Sequence, residues 1–99
     1  MSEEDPRQFL MTAEINQMGM PLTAYKWKGA YCEVGVGDSW ATVYICESSN
    51  PGHGEMQTLL SLVKNIYRNK DFGCTVALNE TMKHILQKLG IKEYSEEKS

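Results

Sequence analysis

An apolar run from Trp40 to Cys46 is followed by Asn50-Pro51-Gly52-His53-Gly54 and then by an amphipathic pattern from Glu55 to Asn69. In that pattern Met56, Leu59, Leu60, Val63, Ile66 and Tyr67 recur at i, i+3, i+4, i+7, i+10 and i+11, which is one face of a helix. A short apolar stretch, Cys74 to Leu78, comes next. Strand, helix and strand of these lengths form a βαβ crossover over 40–78, and the two strands must then be parallel. Ligands of such sheets bind beyond the carboxyl ends of the strands, where the Asn50–Gly54 loop falls. A helix N-terminus behind two glycines offers free N–H groups and a positive dipole end to an anion. The same residues also satisfy a plain strand-to-helix turn.

The rest of the chain builds a sheet around that unit. Ala30 to Val36 and Trp40 to Glu47 read as a hairpin about Gly37-Asp38-Ser39. With Val36 opposite Trp40, both faces of the hairpin are substantially apolar. One carries Cys32, Val34, Thr42 and Tyr44, the other Tyr31, Glu33, Val43 and Glu47. That predicts helices on both faces of the sheet. Thr23 to Trp27 reads as an edge strand, and Lys28-Gly29 as a turn. Asp5-Pro6 predicts a helix start, with the helix running to Met18 and ending at Gly19. Asn79 predicts the cap of a last helix with Met82, Ile85, Leu86 and Leu89 on one face, closed by Gly90 and Ile91. The expected fold class is therefore α/β of mixed α+β character, with a mixed sheet of about four strands. One domain spans 1–99, with 1–4 and 95–99 as frayed tails.

Bulk properties narrow the partners. Over 99 residues the net charge is −3 and no basic block occurs, so duplex nucleic acid has no electrostatic footprint here. No apolar run reaches membrane-spanning length and the N-terminus is acidic, which predicts a cytoplasmic protein. Cys32, Cys46 and Cys74 show no ligand spacing with each other or with His53 and His84. They read as small buried hydrophobes, and no metal is expected. A chain this small has an exposed sheet edge to cover, which makes a homodimer or another protein partner plausible. The compact size would suit a phage or mobile-element product.

From Trp40 to Ile91 the chain resembles the Gcn5-related N-acetyltransferase (GNAT) family. The resemblance is carried by the strand, by Gly52-x-Gly54, by the helix with Leu59-Leu60, by the second strand, and by Asn79 followed by Lys88-Leu89-Gly90-Ile91. It implies a GNAT-like sheet and an acyl-CoA co-substrate, such as acetyl-CoA, with an amine acceptor. By the resemblance Asn50, Gly52, His53, Gly54, Glu55 and Met56 hold the coenzyme, and Glu47 is the leading general base, with Glu33 second. As a plain reading of the residues, Glu47 is a solvated carboxyl at a sheet end, and Glu33 a surface residue or a partner for Lys26 or Lys28. The chain departs from the family pattern at Ser49, where Gln or Arg is usual, and at Leu86, where a tyrosine is usual. Glu55 also sets a negative charge at the helix start. A protein that keeps this sheet but acts by binding another protein is the alternative.

Overall fold

The computed structural model describes residues 6–17, 19–49, 52–75 and 80–93. Among them a 3-10 turn, Pro6–Phe9, leads into strands β1 (Leu10–Gln17), β2 (Met20–Trp27), β3 (Ala30–Val36) and β4 (Trp40–Ser48). Helix α1 (Glu55–Ile66), strand β5 (Asp71–Cys74), helix α2 (Glu80–Leu89) and strand β6 (Lys92–Glu93) follow. The six strands form one sheet in chain order. The first four make an antiparallel meander, and β4, β5 and β6 are mutually parallel. Over the described residues the fold is thus a mixed α+β sheet with two helices, and the expected βαβ crossover runs from Trp40 to Cys74.

Where a helix is expected from Asp5 to Met18, Pro6–Phe9 is a 3-10 turn and Leu10–Gln17 a β-strand; Asp5 and Met18 lie outside the described residues. The strand's residues pair with β2 without interruption, from Leu10 opposite Trp27 to Gln17 opposite Met20. Asn16 Oδ1 accepts the Gly19 N–H at 3.0 Å, and Gly19 adopts a φ of +84°. A glycine that can close a helix can equally close a hairpin, and here the ladder to β2 decides between them. The sheet is correspondingly larger than the four strands expected, and β2 is interior rather than an edge.

Both helices lie on one face, not on two. β4, β5 and β6 advance in a single direction across the sheet, so successive crossovers of the same hand place α1 and α2 on the same side. One core cluster accordingly joins Tyr25, Cys32, Val34, Ala41 and Val43 of the sheet to Leu59, Leu60 and Val63 of α1 and to Leu86 of α2.

The hairpin register also differs from expectation. Val36 lies opposite Ala41, and a bulge sets in between Glu33 and Val34, so that Val34 pairs with Val43 but Glu33 with Ile45. A one-residue slip exchanges faces. Ala41 and Val43 therefore enter the core, whereas Trp40 and Thr42 turn to the helix-free side. The extra residue, Tyr44, restores the original facing for Cys46 and Glu47.

β5 begins earlier than expected: Phe72 stands opposite Ala41 and is buried, and the positions from 76 to 78 lie outside the described residues. The Asn79 cap lies outside them too. The end of α2 is as expected. Gly90 has a φ of +71°, its N–H reaches Gln87 O, and Ile91 N–H reaches Leu86 O, a Schellman closure that buries Ile91.

Candidate functional site

β4 outruns its partner. Its described pairing with β5 ends at Val43–Cys74, while the strand continues to Ser48. At that end an open cleft of about 780 Å3 lies between β4, the Gly52–Gly54 loop and the first turns of both helices. Cys46 and Ser48 come from β4, Glu55, Met56 and Gln57 from α1, and Glu80, Thr81, Met82, His84 and Ile85 from α2. Two helix N-termini thus converge on one space.

The glycine loop shapes the α1 side. Gly52 and Gly54 have φ values of +90° and +75°, a region that costs an L side chain about 1–2 kcal/mol. Nothing lies within 4 Å of where a Cβ would stand at either, so backbone conformation rather than space calls for glycine. Gly54 is the N-cap and brings no side chain to the helix end. The first intrahelical acceptor is Gly54 O, which receives Thr58 N–H and Thr58 Oγ1, each at 3.1 Å. The N–H groups of Glu55, Met56 and Gln57 therefore have no acceptor within the helix.

Glu55 lines the cleft, and its carboxyl is also tied to the β2–β3 turn. Its Oε1 accepts the Gly29 N–H at 3.1 Å, across the sheet from the loop. Gly29 O in turn accepts Ser49 N–H at 2.9 Å and Ser49 Oγ at 3.2 Å. The β2–β3 turn thereby ties the end of β4 to the start of α1. The turn itself holds Lys28 at a φ of +55°, with its ammonium 4.6 Å from the Trp27 ring centroid and 5.7 Å from that of Phe9.

Among the expected site residues, Gly52, Gly54, Glu55 and Met56 line the cleft. His53 is exposed beside it, and Asn50 lies outside the described residues. Glu47 and Glu33 share the opposite, helix-free face. Glu47 is exposed and pairs across the ladder with Tyr31. Glu33 is buried and accepts from Tyr31 Oη and, at 3.3 Å, from Gln17 Nε2. That hydrogen bond, followed by burial, pushes the Tyr31 phenol up to about 12. The sheet thus separates the glycine cleft from the two carboxyls. Because side chains alternate along β4, Cys46 faces the cleft and Glu47 the other side.

The structure also assembles groups that no spacing announced. Cys46 sits opposite Cys32 in the ladder and hydrogen-bonds the Cys74 thiol, so three free cysteines cluster together, of which Cys46 lines the cleft while Cys32 and Cys74 are buried in the core. Burial pushes Cys32 up to about 12, and the Cys74 contact together with burial drives Cys46 well above the ordinary thiol range. Held in the neutral thiol form, Cys32 and Cys46 are packing groups rather than thiolate nucleophiles. Among the described residues no set of three His, Cys, Asp or Glu side chains is arranged to hold a metal. The cleft residues of α2, Thr81 and His84, lie off that helix's apolar stripe, and only the tertiary placement of α2 brings them to the site. No helix of the described residues is long and apolar enough to cross a membrane. No family model, no curated protein and no solved structure matches the chain.

Proposed function

We propose that the protein is a small acyl-CoA-dependent N-acyltransferase with a GNAT-like sheet, moving an acetyl or other acyl group from a thioester to an amine. The observation that carries this reading is the cleft at the end of β4, with two helix N-termini turned toward it and the Glu55 carboxyl tied to Gly29. In this reading the coenzyme phosphates lie against the free N–H groups of Glu55, Met56 and Gln57. The acyl arm runs over Cys46, Met56, Met82 and Ile85, the apolar part of the lining. The amine enters beside the stretch of β4 beyond Val43, where its described pairing with β5 has ended, and Glu47 on the helix-free side of that stretch removes its proton. The amine nitrogen attacks the thioester carbonyl, the C–S bond breaks, and the thiolate leaves to take a proton from solvent. Transfer is direct and relies on positioning and base catalysis.

Acetyl-CoA at 100 times its dissociation constant should stabilise the protein by roughly 2.7 kcal/mol in thermal unfolding. Thr81→Glu, an exposed change on the cleft wall, should weaken that effect without unfolding the chain. Glu47→Gln should abolish turnover and leave affinity intact. No stabilisation by millimolar acetyl-CoA would sink the reading. Two observations favour the second reading, a protein-binding role on the same sheet. Among the described residues the cleft carries Glu55 and Glu80 but no lysine or arginine, and Leu86, where the resemblance expects a tyrosine, is buried in the core.

A further inference from the structure

The two edges of the sheet are built differently. β6 is two residues long and both are charged, a short blunted edge. β1 is eight residues long, carries Glu14 as its sole charge, and contains neither proline nor a bulge. No described residue pairs with its outer side. Six of its eight residues are exposed, Met11 to 65 %. Apart from the single charge of Glu14, the described residues show none of the usual devices that stop an edge from recruiting another strand.

The register of β1 sorts its side chains. Met11, Ala13 and Ile15 lie opposite Lys26, Ala24 and Leu22, on the helix-free face, while Thr12 and Glu14 lie on the helix side. A second copy can extend the sheet with matching faces only if paired residues share a face, which leaves two-fold centres on single residues. A centre at Glu14 sets two like charges against each other. A centre at Thr12 pairs only Leu10 to Glu14. A centre at Ala13 pairs Leu10 through Asn16, sets Met11 beside the second copy's Ile15 twice, and places Glu14 opposite Thr12.

We propose that the protein is a homodimer joined by antiparallel pairing of β1 with β1 of a second copy, with the two-fold axis at Ala13. The pairing makes one continuous sheet, keeps the helices of both copies on the same side, and encloses Met11. It leaves the cleft at the end of β4 untouched, so coenzyme binding and dimer formation are separable.

The test is sedimentation velocity on the full chain and on Ala13→Lys and Ala13→Glu. Ala13 is exposed, and unchanged far-ultraviolet circular dichroism confirms that each variant is folded. The wild type should sediment as a dimer. Each variant alone should be monomeric, because like charges meet on the axis. An equimolar mixture of the two should recover the dimer. A wild type that stays monomeric at high micromolar concentration overturns the proposal, as does a dimer that persists in Ala13→Lys. Ala13→Cys provides a check free of charge effects: diamide oxidation should give a covalent dimer on a non-reducing gel, which the wild type does not give. Monomer alone from Ala13→Cys overturns the proposal.

Discussion

The two faces of the sheet are buried by different means. On the helix side Leu59, Leu60 and Val63 of α1 lie against Cys32, Val34 and Val43, all fully removed from solvent. On the bare side no helix of the described residues packs, yet Leu22, Ala24, Glu33 and Thr42 are buried. There the covering comes from the sheet's own side chains. Tyr44, the bulge residue, lies over Gly35, and Tyr31 and Gln17 close over Glu33. One face is an apolar interior and the other a thin polar and aromatic cover. The helix side should therefore be sensitive to lost volume, and the bare side to added volume and to lost hydrogen bonds.

Leu59→Ala tests the helix side with the largest expected effect. The side chain is fully buried in the middle of α1, and its removal leaves a cavity between helix and sheet. The expected loss is about 2–5 kcal/mol in urea unfolding. Met11→Ala on the exposed edge should change monomer stability by less than about 0.5 kcal/mol. Similar values for the two would erase the contrast between packed and uncovered parts of the sheet.

That contrast also decides what was legible in the sequence. The crossover, α1 and the Gly90 closure could be read because their cues are local: helical periodicity, paired glycines and a left-handed C′ residue. The part of the site that belongs to the glycine loop was legible for the same reason. β1 was not, because Pro6 and Gly19 fit a helix as well as a hairpin, and only the ladder to β2 separates them. The hairpin register was not legible either, since the Tyr44 bulge leaves no mark in the alternation and a single slip exchanges Trp40 for Ala41. The thiol cluster and the α2 wall of the cleft depend on packing between residues far apart in the chain.

Gly35→Ala probes the bare face with added volume. A Cβ at this position would stand 2.5 Å from Tyr44 Cε2 and 3.3 Å from Leu22 Cδ2. The ring must move, and the expected cost is about 1–3 kcal/mol. In a Gly35→Ala, Tyr44→Ala double variant much of that cost should disappear, because the colliding ring is gone. Additive effects of the two changes in denaturant would show that Tyr44 does not cover Gly35 in solution.

Tyr31→Phe probes the polar part of the same cover, with a smaller effect of about 1 kcal/mol at neutral pH, since the phenol is only half-buried and Gln17 remains to bond Glu33. Its pH dependence is more diagnostic than its size. The folded protein holds the Tyr31 phenol up at about 12 against an ordinary value of 10.0, because the neutral hydroxyl donates to Glu33. A folded value above the unfolded one means a stabilising contribution fully present below pH 10 and lost as pH climbs through 12. Cys32 adds a loss of the same sign from 9.0 to about 12 through burial on the helix side. Wild-type stability should therefore decline across the alkaline range, and Tyr31→Phe should lessen the decline between 10.0 and about 12 while keeping the portion that begins near 9.0 and the share of Tyr25, whose phenol burial and the Tyr67 hydrogen bond also push up. A variant whose alkaline decline matches that of the wild type would detach Tyr31 from Glu33, and with it the hydrogen-bonded cover of the bare face.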